Sequence, residues 1–197
     1  MAELLNTFTI KIEVMKKVLF ALPIAIAIIA FSFIHCPKPA AEASEIKWMT
    51  WKEVQEAQKK EPRKVFVDVY TGWCGWCKRM DATTFTNAEI VKYVGKNFYA
   101  VKFDAETQEV INFKGKDYKY IAQGARGYNE LAAEIVNGQM SYPTTVYLNE
   151  KLEVIFPVPG YQDPKTFETV LNFVGSNNYK TIKWEDYQGT FKGKVTE

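Results

Sequence analysis

Cys74 and Cys77 stand two residues apart in Trp73-Cys74-Gly75-Trp76-Cys77-Lys78, the one segment of this chain with a sharp chemical meaning. A β-branched and aromatic run, Lys64–Tyr70, leads into the pair, and a helical pattern leaves it and extends to about Thr83. Two intervening residues let the sulfurs meet across the first helical turn and close a small disulfide. The first sulfur then lies where helix N–H groups lack partners and the macrodipole is positive, which favours thiolate over thiol. Cys74 is therefore expected to attack and Cys77, inside the helix, to resolve. Exchange would pass through a mixed disulfide on Cys74 that Cys77 releases.

Composition bears on the other chemistries open to this pair. The chain has three cysteines and one histidine, and both Cys36 and His35 lie upstream of residue 44. Residues 44–197 therefore lack the four ligands zinc usually takes, and copper delivery would ask for more Met or His than the nearby Met80. No metal is expected. Without a histidine there is no Ser/His or Cys/His nucleophile, and Lys78 after Cys77 excludes covalent haem attachment. A purely structural disulfide stays open as the alternative. Trp73 and Trp76 flank what is taken as an exposed sulfur and read either as an apolar rim for a partner protein or as packing.

The elements that must position these residues can be read along the chain. Thr50-Trp51-Lys52-Glu53 is a capping box that opens a helix to about Lys60, which Pro62 ends. Lys64–Tyr70 is apolar at nearly every position but Asp68, as a central strand covered on both faces would be. A second capping box at Thr86-Asn87-Ala88-Glu89 opens a helix to about Lys96, and Phe98–Asp104 is a further strand. Lys102 and Asp104 near its end are assigned no role. Val110–Phe113 and Tyr118–Ile121 flank a turn at residues 114–117 and read as a hairpin. Tyr128–Asn137 is helical, with Gly138 in the stop position. Thr144–Leu148 and Glu153–Val158 are antiparallel strands, and Asp163-Pro164 caps a helix to about Val174. The tail with Trp184, Tyr187 and Phe191 is a short helix closing the core. The order β-α-β, long crossover, β-β-α implies one mixed α/β sheet.

The 197 residues are 47% hydrophobic and 24% charged, with a net charge of +2. Disorder of the bulk is excluded by that balance, and nothing in it points to nucleic acid. Met15-Lys16-Lys17 followed by the uncharged run Val18–Ile34 has the form of an export signal. Met15 is the expected start, with Met1 the alternative. Three continuations stay open: cleavage after Ala43, lipidation of Cys36 (disfavoured by Phe33-Ile34-His35 before it), or retention as an N-terminal membrane anchor. All three place the remainder outside the cytoplasm, periplasmic or otherwise extracytoplasmic. Two parts are thus expected, an N-terminal extension and address over residues 1–43 and a folded domain over 44–197.

The strand-to-cysteine pattern Val67-Asp68-Val69-Tyr70-Thr71-Gly72-Trp73-Cys74, the loop Tyr142-Pro143-Thr144-Thr145 and Gly160 resemble the thioredoxin superfamily over roughly residues 46–176. More narrowly, WCGWCK followed by Met80, Phe85 and Asn87-Ala88-Glu89 resembles exported thioredoxin-like proteins related to the soluble domain of a transmembrane disulfide-reductase relay. The resemblance implies a thioredoxin-like α/β fold, a central mixed sheet flanked by helices. It also implies a thiol–disulfide oxidoreductase that needs no bound cofactor. By resemblance Asp68 is the buried acid that takes the proton of Cys77, and a cis Tyr142–Pro143 bond offers backbone to a substrate chain, with Trp73, Gly75 and Trp76 beside it. The dipeptide here is Gly75-Trp76 rather than Gly-Pro or a histidine-containing pair, and Tyr142 replaces a small aliphatic residue. Residues 106–140 exceed what the fold needs and read as a hairpin-plus-helix insertion. The expected direction is reduction of cysteine-containing extracytoplasmic proteins, with a membrane electron donor to recharge the pair. An oxidase or isomerase of the same family, and a binding module with a stapling disulfide, are the alternatives.

Overall fold

The computed structural model describes residues 45–195. The expected signal, its apolar run, Cys36 and the expected boundary at residue 43 lie outside the described residues. Among the described residues no helix is long and apolar enough to cross a membrane.

Five strands make the central sheet: β1 (Trp48–Met49), β2 (Lys64–Tyr70), β3 (Phe98–Asp104), β8 (Thr144–Leu148) and β9 (Val154–Pro159), in the order β1-β3-β2-β8-β9. β1, β3 and β2 run parallel, while β8 and β9 are antiparallel to their neighbours. Around the sheet lie α1 (Trp51–Lys60), α2 (Gly75–Thr83), α3 (Ala88–Asn97), α4 (Glu130–Ile135), α5 (Pro164–Gly175) and α6 (Trp184–Thr190). The mixed α/β sheet with helical cover is the expected architecture. β1, only two residues long, carries too little pattern to be read from sequence.

The pleat sorts β2 into two faces. Val65, Val67 and Val69 pack with Trp51, Phe103, Leu131 and Ile135 on one side. Phe66 packs with Met80, Ile90, Tyr147, Phe167 and Leu171 on the other. Asp68 shares the parity of Phe66 and so points into the face that α2 covers. In β3 the same alternation puts Lys102 with Phe98 and Ala100, on that face too.

Local signals explain most element ends. Thr50 and Glu53 form the reciprocal cap of α1. At α5, Asp163 Oδ1 accepts from the N–H groups of Lys165 and Thr166, at 2.9 and 3.0 Å. The outer edge of the sheet carries Pro157 and Pro159 on β9. Gly160 N–H turns inward to Pro143 O (2.8 Å), so the proline nitrogens face outward and offer no donors to a further strand.

Three expectations need correction. The second capping box does not form: Asn87 caps α3, accepting from Glu89 and Ile90, whereas the Thr86 hydroxyl donates back to Ala82 and Thr83 carbonyls. The segment Tyr118–Ile121 is not one strand. β4 (Ile111–Phe113) pairs with β5 (Lys116–Tyr118) across Lys114-Gly115, and a second hairpin follows, β6 (Tyr120–Gln123) with β7 (Arg126–Asn129). Finally, the helix expected over Tyr128–Asn137 is only Glu130–Ile135, because Tyr128 and Asn129 belong to β7 and Asn129 is the cap, its side chain accepting from Leu131 N–H. The insertion is therefore two hairpins and a short helix.

Candidate active site

β2 ends at Tyr70 and the chain turns through Thr71-Gly72-Trp73 into α2. Cys74 N–H donates to Thr71 O at 3.1 Å, and Cys74 is the N-cap of α2. Its Sγ accepts the Cys77 N–H at 3.0 Å, and the two sulfurs are bonded to each other. A donor that the helix start would otherwise leave without a partner is thus aimed at the first sulfur. The pair sits as the spacing predicts, with one difference. Cys74 is only 4% exposed and Cys77 2%, so the first sulfur is not openly exposed as expected. It lies between higher walls.

Those walls are aromatic. Trp73 and Trp76 are 54% and 57% exposed. The Trp73 ring meets Tyr142 edge-on at 6.0 Å, and its Nε1–H donates to Glu106 at 3.0 Å. Trp76 packs at 5.4 Å on Tyr161, with the Arg79 guanidinium over both rings. Between Cys74 and Trp76, Gly75 adds no side chain to the rim. The Tyr142–Pro143 peptide is cis and leads directly into β8. Half-burial, with Glu106 and Asp104 nearby, pushes the Tyr142 phenol up to about 12.

Beneath α2, Asp68 is 1% exposed, and its Oδ2 accepts from Lys102 Nζ at 2.8 Å. The same ammonium also bonds Asp81 of α2. It is enclosed by the rings of Tyr70, Trp48 and Phe85, at 4.9, 5.1 and 5.5 Å from their centroids. Asp68 Oδ1 accepts no hydrogen bond from the described residues. Burial raises the Asp68 carboxyl to about 6, against the lowering effect of Lys102. For Lys102, burial pulls downward, but the two carboxylates outweigh it and hold the ammonium above the usual lysine range. The site thus holds a carboxyl that gains or loses a proton close to neutrality, under the helix that carries both cysteines.

The structure brings Cys74, Cys77, Trp73, Gly75 and Trp76 together on one loop and helix start. Tyr142 joins them through Trp73, and Asp68 lies below in the face α2 covers. Lys102, given no role from sequence, is the partner of Asp68. Its signal was present: Asp68 and Lys102 are each the fifth residue of a seven-residue strand, and the parallel register pairs them. Asp81, Glu106 and Tyr161 were also missed, since their places depend on tertiary packing.

Comparisons with known proteins agree with this geometry. The match to the family described as "Thioredoxin-like domain" runs over residues 51–175. The fold resembles DsbH oxidoreductase, with TM-score 0.50 and 12% identity, covering 73% of this chain and 92% of that one. A thioredoxin from Thermus thermophilus has TM-score 0.50 and 18% identity, covering 66% and 87%. Mouse spermatogenesis-associated protein 20 is 34% identical over 62 residues, 31% of this chain but only 8% of that much longer protein. Its human counterpart is 32% identical over the same length. A sheet of this order, a cysteine pair at the start of the helix after its central strand, and a family match spanning both the pair and the cis-proline loop converge. The chain belongs to the thioredoxin-like domain family.

Proposed function

We propose that this protein is a thiol–disulfide oxidoreductase that reduces disulfides of extracytoplasmic proteins through its Cys74/Cys77 couple. The reading is carried by one observation: Cys74 Sγ caps α2 and takes the Cys77 N–H, with the second sulfur in bonding reach. In the reduced form the Cys74 thiolate attacks one sulfur of a partner disulfide. A Cys74–partner bond forms, the partner S–S bond breaks, and the departing partner thiolate takes a proton from water. Cys77 then gives its proton to Asp68, and its sulfur attacks Cys74 Sγ. The Cys74–Cys77 bond forms as the second partner thiolate leaves. The partner has gained two electrons and the couple has lost two.

The reductive direction is supported by how little stabilises the thiolate. The Sγ of Cys74 accepts the Cys77 N–H, and neither Gly75 nor Trp76 adds positive charge. A modestly stabilised dithiol passes its electrons on readily, which makes a reductant. Outside the cytoplasm such a reductant must be recharged, so a membrane electron donor is its implied partner. The Met15–Ala43 pattern supports export, by a cleaved signal or with an N-terminal anchor. The test is trapping. Cys77→Ser in the full chain should accumulate mixed disulfides with cysteine-containing extracytoplasmic proteins, and the Cys74→Ser, Cys77→Ser double variant should accumulate none. A Cys77→Ser chain that traps nothing, with both variants merely less stable, would leave a binding module stapled by its disulfide.

A further inference from the structure

Both exposed tryptophans beside Cys74 are backed by an arginine, and the two arginines come from different parts of the chain. Arg126, next to the turn of the β6–β7 hairpin in the insertion, lies 4.4 Å from the Trp73 ring centroid. Arg79, on α2, lies 5.6 Å from that of Trp76. Neither guanidinium has a hydrogen bond to another described residue, and both side chains are exposed. Glu106 forms an ion pair with Arg126, whereas Arg79 has none among the described residues. One oxygen of Glu106 holds the Trp73 N–H, and the other stands 3.9 Å from Arg126, beyond hydrogen-bond reach. Asp104 Oδ1 accepts the Glu106 N–H.

The hairpin that presents Arg126 is built for a fixed position. Asn129 at its end is fully buried, donates from its side chain to Glu109 O at 3.0 Å, and receives Leu131 N–H. Its backbone N–H reaches Ala105 O at 2.7 Å, which ties β7 to the chain just beyond β3. Tyr120 lies so close over Gly127 that a Cβ there would stand 2.4 Å from its ring. The backbone that carries Arg126 is therefore held in place by the insertion, and its guanidinium rests over Trp73.

We infer that the two tryptophan–arginine pairs form a recognition surface for an extended partner segment whose redox cysteine is flanked by acidic residues. The inference rests on the exchange reaction proposed above and names the substrate class that this site takes. The indoles supply apolar contact beside the buried sulfur, and the guanidiniums, one against each indole, supply planar donors that suit carboxylates. Cation–π contact holds each guanidinium against its ring and so limits the entropy lost when a carboxylate docks.

The experiment uses the full chain, reduced, with two disulfide-linked peptide dimers, Leu-Asp-Cys-Asp-Leu and Leu-Lys-Cys-Lys-Leu, both end-blocked. Each rate is divided by the rate of the same peptide with dithiothreitol, which removes the peptides' own reactivity. The parent should prefer the aspartate peptide. Arg126→Glu should cut that preference by about two- to five-fold, the reach of one exposed charge pair. Arg126→Lys should keep most of it, Arg79→Ala should weaken it, and high salt should abolish it. Equal normalised rates in the parent, or a preference untouched by Arg126→Glu and by salt, overturns the inference while leaving the exchange reaction standing. If neither peptide exchanges with the chain while dithiothreitol reduces both, the proposed activity fails and the inference falls with it.

Discussion

Asp68 is a buried carboxyl with one oxygen on Lys102 and the other without a hydrogen-bond partner among the described residues. Its protonation midpoint in the folded protein is about 6, above the ordinary aspartate value. The unfolded chain therefore ionises at a pH where the folded protein still holds the proton. That contribution to stability is complete below about pH 4 and is lost as pH rises through about 6. Asp68→Asn should flatten the stability–pH curve in this window. At pH 7 it should be more stable than the parent by on the order of 1–3 kcal/mol in denaturant melts. A less stable Asn variant at pH 7 would mean that the pairing with Lys102 outweighs burial. The same substitution should slow release of a preformed Cys74 mixed disulfide by about a hundred-fold, the low end of what a positioned acid–base group supplies. Lys102→Met should move the inflection near pH 6 upward, because it removes the charge that holds the carboxyl down. The acid itself was legible in the sequence as the lone charge in an apolar strand. Its partner was passed over because Lys102 was read as a strand end, when strand parity and register bury it beside Asp68.

At the scale of elements, the strands and helices that position the site were legible because each carries its own punctuation: Pro62 before β2, Asp163-Pro164 at α5, Gly138 after α4. The insertion was less so. Its second hairpin consists of two four-residue strands, too short for alternation to register, and Asn129, the true cap of α4, was absorbed into a helix drawn too long. The hairpin depends on a residue without a side chain. At Gly127 a Cβ would come 2.2 Å from Ile121 O, so Gly127→Ala should distort β6–β7 while sparing the central sheet. Far-ultraviolet circular dichroism should stay close to that of the parent while Trp73 becomes more exposed to a fluorescence quencher. At α5, Asp163→Ala should cost about 1 kcal/mol, since two backbone donors lose their acceptor.

Across the whole molecule, the mixed sheet carries the cysteine pair at the start of α2 and the cis-proline loop, which meet through Trp73 and Tyr142, and everything proposed about activity depends on that region exchanging disulfides. The architecture could be read in sequence because the order of elements admits few topologies. Trp73, Trp76 and Tyr142 could be placed at the site from sequence, but Glu106, which holds the Trp73 N–H, and Tyr161, which packs on Trp76, could not, since both reach the site from places far apart in the chain. The most direct test of the account is the reduction potential of the Cys74/Cys77 couple in the full chain. It would be set by equilibration with dithiothreitol or glutathione and read by mass spectrometry of the peptide that contains both cysteines. A value of about −230 mV or lower, in the range of thioredoxin-like reductants, is the predicted result. A value between about −120 and −180 mV would contradict the proposed direction and make the protein an oxidase or isomerase.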